Sequence, residues 1–367
     1  MRQGLRLTGL FKKLVFVALA LGAVLGGLEL LAGLGHIEIP KAEGTAMAPH
    51  PTRIWALEPG LQQSFGVQIR VNALGLREPE SLGLGAKNRV LTLGDSSIFG
   101  HGVQDGATLH DQLAKKLNER GVLSQVICGG VPGYSTAQSL VLMDELGWGL
   151  DPAVLVIGNQ FSDMNRDNFT DRQVLERLSS PVAEMEFLLS HSHLYRRLRG
   201  AMASAKGVPA FAAVGWPTPS STGEIRVPPK DYVENLELLL AGAREREIGV
   251  VFLQLDERDP HHGGGGNRNY AAMMESVAVA WGTPIVRAPH LYAQSGVPRQ
   301  QLFMDEVHPT PLGNELMAQA LTEALLQAQF PKRTPLPLQA RQREIQILDY
   351  YGPTELSKQQ QLFLSQP

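Results

Sequence analysis

Five short stretches rich in Val, Ile and Leu recur between Arg89 and Arg287, and segments with apolar residues at helical spacing alternate with them. That alternation constrains the fold more than any other feature of the chain. The spacing predicts strands at Val90–Leu93, Ser124–Cys128, Ala153–Ile157, Gly249–Leu255 and Pro284–Arg287, with helices over 109–120, 136–146, 232–247, 270–281 and 311–327. Strands that alternate with helices form a parallel sheet covered on both faces, and a near-continuous apolar strand is what two-sided burial demands. Every strand-to-helix loop then opens on one edge of the sheet. Chemistry in open α/β sheets is done at that edge.

Composition narrows the function classes. With 43% hydrophobic and 19% charged residues among 367, the chain is long enough for one large domain plus appendages, and neither a coiled coil nor a disordered chain fits. A formal charge of -3 gives no basic face for nucleic acid. The single cysteine, Cys128, excludes an internal disulfide and a CxxC metal site, and its position at the end of an apolar strand predicts a buried thiol.

The first strand runs into Gly94-Asp95-Ser96, so that a serine stands directly after a tight turn. Near the far end of the same α/β region, Met304-Asp-Glu-Val-His-Pro309 brings an aspartate and a histidine three residues apart. A serine hydroxyl needs a base with a pKa near neutrality, and an orienting carboxylate holds that base in its reactive tautomer. Gly94-Asp95-Ser96, Gly130-Val-Pro-Gly-Tyr134 and Asp305-x-x-His308 together resemble the SGNH (GDSL-type) hydrolase superfamily, over about Arg89 to Gln329. The resemblance implies a three-layer α/β/α sandwich with a parallel, flavodoxin-like sheet of about five strands. It also implies Ser96 as nucleophile, His308 as general acid and base, Asp305 as orienter, and an O-acyl ester as substrate. No metal or organic cofactor is implied. The nucleophile elbow of the α/β-hydrolases fits less well, because Ile98 stands where its second glycine belongs.

Acyl transfer also needs hydrogen-bond donors aimed at the developing oxyanion. The backbone N–H of Ser96 is one, and the resemblance implies that of Gly133 as another. The family's third donor is an Asn side chain in Gly-x-Asn-Asp, whereas this chain reads Ile157-Gly-Asn-Gln-Phe-Ser-Asp163. Aligning the aspartates puts Ser162 at the Asn position. Either Ser162 donates, or Asn159, Gln160 or Asn165 reaches in, or activity is weak. Asp95, His101 and Tyr134 are expected to line the substrate pocket. His261-His262 and His191-Ser-His193 lack a carboxylate or cysteine at ligand spacing and are expected to be solvated loop residues.

Residues 1–39 read as a basic stub and a membrane anchor. From Leu14 to Gly35 only Glu29 is charged, about the length a bilayer requires, and Arg2, Arg6, Lys12 and Lys13 precede it. Those cations predict a cytoplasmic start and an extracytoplasmic remainder. Ala18-Leu-Ala20 is a small-x-small triplet, but it falls too early in the apolar run to end a signal peptide. Residues 40–88 read as a linker and β-rich lead-in with an extended patch at Phe65–Val71, and its Arg77 is expected in a structural ion pair. Residues 89–330 read as the hydrolase-like domain, interrupted by a long insertion at about 165–230, and 331–367 as a Pro- and Gln-rich tail. Together these features lead to the expectation of a membrane-anchored serine esterase acting on an O-acyl ester, an acetyl ester included, of a cell-envelope or extracellular glycan or lipid. A polysaccharide O-acyltransferase with the same three residues, or a non-catalytic assembly or glycan-binding protein, are the alternatives.

Overall fold

The computed structural model describes residues 3–33, 45–77, 88–180, 223–259 and 266–328, together with a few positions between 185 and 198. Most of the long insertion, the Pro- and Gln-rich tail and the His261-His262 pair lie outside these.

Helix α1 (Gln3–Gly33) contains the apolar run, and from Phe11 to Gly33 it is long and apolar enough to cross a membrane. Its one acidic residue, Glu29, accepts hydrogen bonds from the Ser192 hydroxyl at 2.6 Å and from the amides of His193 and Leu194. The lead-in is two antiparallel hairpins, β1 (Met47–His50) with β2 (Ile54–Leu57), and β3 (Gly60–Ser64) with β4 (Val67–Val71). The extended patch expected over Phe65–Val71 is therefore shorter. Phe65-Gly66 is the two-residue turn, with φ of 46° and 79°, as a type I′ hairpin requires.

The chain then enters β5 (Arg89–Gly94), a one-turn helix α2 (Ser96–Phe99), α3 (Leu109–Glu119), β6 (Gln125–Gly130) and α4 (Thr136–Leu142). A π turn over Met143–Gly147 extends α4, so the helix expected to reach Leu146 changes its winding before it ends. After β7 (Val154–Ile157), the short strands β8 (Arg166–Asp167) and β9 (Glu224–Ile225) pair antiparallel, with α5 (Asp171–Leu178) following β8. The two ends of the expected insertion are thereby brought side by side. Helix α6 (Pro229–Glu245), β10 (Gly249–Gln254), α7 (Gly266–Trp281) and β11 (Ile285–Arg287) come next, then α8 (Ala288–Gln294), α9 (Arg299–Leu302) and α10 (Pro311–Gln327).

The five long-range strands form one parallel sheet in the order β11-β10-β7-β5-β6. Numbered among themselves that is 5-4-3-1-2, the doubly wound order whose switch point lies beside the first strand. The pleat sorts the core into two layers. Leu91, Leu93, Ile127, Leu155, Ile157 and Phe252 face α6 and α7 through Leu236, Leu239, Met274, Val277 and Trp281. Val90, Val126, Val154, Val156, Val251 and Leu253 face α3 and α10 through Leu109, Leu113, Leu117, Met317 and Leu321. Alternate residues of one strand thus serve opposite layers, which is why these strands carry almost no polar side chain. Cys128 is buried and reduced.

Candidate active site

The serine turn is built from close approach. A Cβ on Gly94 would lie 2.3 Å from the Ile98 side chain, and one on Gly130 would lie 2.7 Å from the Phe99 amide, so glycine at both positions lets α2 fold back onto the ends of β5 and β6. Asp95 caps α2, its Oδ1 accepting from the Ser97 amide at 3.0 Å. Ser96 is the first residue of that turn. The neighbouring Ser97 hydroxyl donates to the Val307 carbonyl at 3.1 Å, which ties the serine turn to the histidine loop.

In that loop Asp305 folds the backbone around its own carboxylate. Its Oδ1 accepts the amides of Val307 and His308, both at 2.9 Å, and its Oδ2 lies 2.6 Å from His308 Nδ1. His308 Nε2 is 2.8 Å from Ser96 Oγ. Across 212 positions of sequence, Ser96, His308 and Asp305 form one hydrogen-bonded chain, at the carboxyl edge of the sheet and on its first strand. Burial opposes the Asp305 charge, but the hydrogen bonds from His308 and Val307 outweigh it and hold the carboxyl below its ordinary value. A carboxylate is therefore available to accept Nδ1–H and leave Nε2 unprotonated toward the serine.

The amides of Ser96 and Gly133 donate to no other group among the described residues. Gly133 has φ of 79°, and a Cβ there would sit 3.1 Å from the Trp55 ring. Its loop is held from two distant parts of the chain. Trp55 Nε1 donates to the Pro132 carbonyl at 3.2 Å, while Arg226 Nη1 donates to the Gly133 carbonyl at 2.8 Å. The same guanidinium makes a fork–fork pair with Asp171 at 2.9 and 2.7 Å, and reaches Gln138 Oε1 at 2.7 Å. Arg226 was not singled out from the sequence. It lies 93 positions beyond Gly133, at the return of the insertion, and only the β8–β9 pairing brings it in.

Several expected roles are corrected. Asp95 is fully buried, and its Oδ2 accepts the Ser162 amide at 3.2 Å, so Asp95 braces two loops and does not face substrate. Ser162, the expected third oxyanion donor, is thereby held against Asp95. Gln160 is likewise consumed, pairing through both ends of its amide with Leu255. Tyr134 is fully buried and donates to the Trp55 carbonyl at 2.6 Å, which makes it a brace for the Gly133 loop rather than a pocket wall. Asn159 is fully buried too. Its Oδ1 accepts from Ser139 at 3.1 Å, and its Nδ2 has no partner among the described residues. Asn165 is exposed. His101 does sit by the relay, its ring centroid 5.1 Å from that of His308, with Nδ1 2.7 Å from Ser64 Oγ. Burial above all lowers its pKa to about 4. Asp163, whose Oδ1 takes both the amide and the hydroxyl of Thr136, is pushed by burial up to about 7. Arg77 is buried, paired with Asp105 at 2.8 Å, and donates to the carbonyls of Phe99, Gly100 and Val103, so it fixes the exit from α2. Among the described residues no cluster of His, Cys, Asp and Glu could hold a metal ion.

Fold and site define an α/β/α chain with a serine, histidine and aspartate relay at the switch point of its sheet. No family model matches the chain, and no curated protein matches it either. Among solved structures, a lipase/acylhydrolase from Enterococcus faecalis is similar at 17% identity, with 67% of this chain and 100% of that one covered and a TM-score of 0.42. An acetylxylan esterase from Geobacillus stearothermophilus is similar at 13% identity over 66% and 96% of the two chains, with a TM-score of 0.43. A psychrotrophic esterase from a Pseudoalteromonas species is similar at 13% identity over 66% and 98%, with a TM-score of 0.41.

Proposed function

We propose that the chain is a serine ester hydrolase of the SGNH type, held at a membrane by α1 with its α/β/α domain outside the cytoplasm. The observation that carries this is the continuous relay from Ser96 Oγ to His308 Nε2 at 2.8 Å and from His308 Nδ1 to Asp305 at 2.6 Å. Ser96 Oγ attacks the acyl carbon as His308 Nε2 takes its proton, and the carbonyl electrons move onto the oxygen facing the Ser96 and Gly133 amides. Collapse of that intermediate breaks the bond to the alcohol oxygen, which leaves with the proton from His308. Water then enters, gives a proton to His308, attacks the acyl serine, and the serine departs with that proton. Atoms and charge balance without a cofactor. The substrate is an O-acyl ester of an envelope or extracellular glycan or lipid, for which the location implied by α1 is the support.

Turnover of a short-chain aryl acetate tests the reading. Ser96→Ala and His308→Ala each lower kcat by about 10⁶ if the two act as one unit, and Asp305→Asn by about 10⁴. Retention of most activity by Ser96→Ala would remove the assignment.

A further inference from the structure

The β3–β4 hairpin belongs to the lead-in, yet its tip lies against the relay. Ser64 Oγ contacts His101 Nδ1 and accepts the Gly102 amide at 3.2 Å, which pins the turn. Phe65 then stands edge-to-face on His101 with ring centroids 4.1 Å apart, and 6.1 Å from the His308 ring. A Cβ on Gly102 would meet Met304 Cε at 3.1 Å and Phe65 Cβ at 3.3 Å, so these two side chains flank one point of the loop after α2. Both are unusually open for large apolar groups. Phe65 is 46% exposed and Met304 is 41% exposed.

The backbone makes Phe65 harder to explain as a structural residue. The first position of a type I′ turn favours Asn, Asp or Gly, because the left-handed region is costly for a bulky side chain. Here a phenylalanine adopts φ of 46° and gains only partial burial in return. Strained positions of this kind cluster where a ligand is met.

We propose that Phe65, with Met304 beside it, forms the subsite for the alcohol part of the ester, and that this alcohol presents a flat carbon–hydrogen face, as a pyranose ring does. The inference rests on the roles given above to Ser96 and His308. Direction follows from those roles. His308 Nε2 returns its proton to the departing oxygen, so the alcohol leaves past His308, whereas the acyl oxygen turns toward the Ser96 and Gly133 amides. Side chains that ring His308 therefore meet the alcohol and not the acyl chain. An exposed aromatic ring and a thioether offer apolar, polarisable contact to a ring face while its hydroxyls stay in water. Neutral His101 behind Phe65 adds no charge to this wall at ordinary pH.

The test holds one acyl group constant and varies the alcohol. Wild type, Phe65→Ala, Phe65→Asn and Phe65→Tyr are assayed on an acetylated methyl pyranoside, on ethyl acetate and on a long-chain alkyl acetate, and nitrophenyl acetate is compared with nitrophenyl butyrate. Phe65→Ala and Phe65→Asn should lose about tenfold in kcat/KM on the pyranoside, mostly through KM, and little on ethyl acetate. Phe65→Tyr should keep the wild-type preference, and the acetate-to-butyrate ratio should not move. Phe65→Asn should also melt higher than wild type, since it suits the turn, which separates lost recognition from lost folding. Equal losses on all three acetates, or a changed acetate-to-butyrate ratio, would overturn the subsite. A larger loss on the long-chain acetate than on the pyranoside would overturn the sugar assignment. If a wild-type enzyme that is labelled at Ser96 by an organophosphonate is indifferent to Phe65, the subsite alone falls; if wild type neither labels nor turns over any acetate, the serine reading falls and takes the subsite with it.

Discussion

At the residue scale, the oxyanion loop separates what a motif predicts from what packing allows. Ser162 occupies the position of the expected third donor, but its amide donates to Asp95 and holds the residue against that buried carboxyl. Loss of a working oxyanion donor costs about 10²- to 10³-fold in kcat. With Ser162 held against Asp95, Ser162→Ala should fall well short of a hundredfold loss in kcat on an aryl acetate. A hundredfold loss at unchanged KM and stability would return the donor role to Ser162. His101 carries a pH signature. In the unfolded chain its pKa is near the ordinary 6.5, and in the folded protein about 4, so its contribution to stability is full above 6.5 and is lost as pH falls toward 4. The gap in melting temperature between wild type and His101→Gln should be constant above about pH 7 and should narrow on acidification. A gap that widens toward pH 5 would mean that His101 is charged in the native state.

At the element scale, the periodic parts of the chain were legible and the long-range braces were not. All five sheet strands and the helices α3, α4, α6, α7 and α10 follow from apolar spacing, because two-sided burial imposes that spacing on the sequence, whereas the short helices α2, α8 and α9 carry too few residues to show it. Ser96, Asp305 and His308 stand out because two short motifs, Gly94-Asp95-Ser96 and Asp305-x-x-His308, carry them. Asp95 and Tyr134 were misread because sequence adjacency to the site says nothing about burial, and both turn inward. Arg226 and Phe65 left no local signal at all. Each acts through a contact made by a hairpin distant in sequence, β8–β9 for one and β3–β4 for the other. Under the proposed serine chemistry Arg226 is a positioning residue, holding the Gly133 carbonyl and the Asp171 pair. Removing one partner of a buried ion pair costs about 3–5 kcal/mol, so Arg226→Met and Asp171→Ala should both lower the melting temperature markedly. Arg226→Lys keeps a charge but loses the fork, and it should lower kcat more than it raises KM. Unchanged kcat in folded Arg226→Lys would detach this clamp from the oxyanion loop.

At the scale of the whole molecule, an apolar N-terminal helix precedes an α/β/α domain whose sheet edge carries the relay. A reporter fused after the α/β/α domain should be extracytoplasmic and membrane-bound, and recovery of a soluble, shortened protein would identify α1 as a cleaved signal. The central claim is that the edge of this sheet performs serine ester chemistry, and an organophosphonate ester tests it most directly. Intact protein should gain one covalent adduct, mapped by peptide mass spectrometry to Ser96 and absent from both Ser96→Ala and His308→Ala. An adduct elsewhere, or none on the folded wild-type protein, would contradict the account.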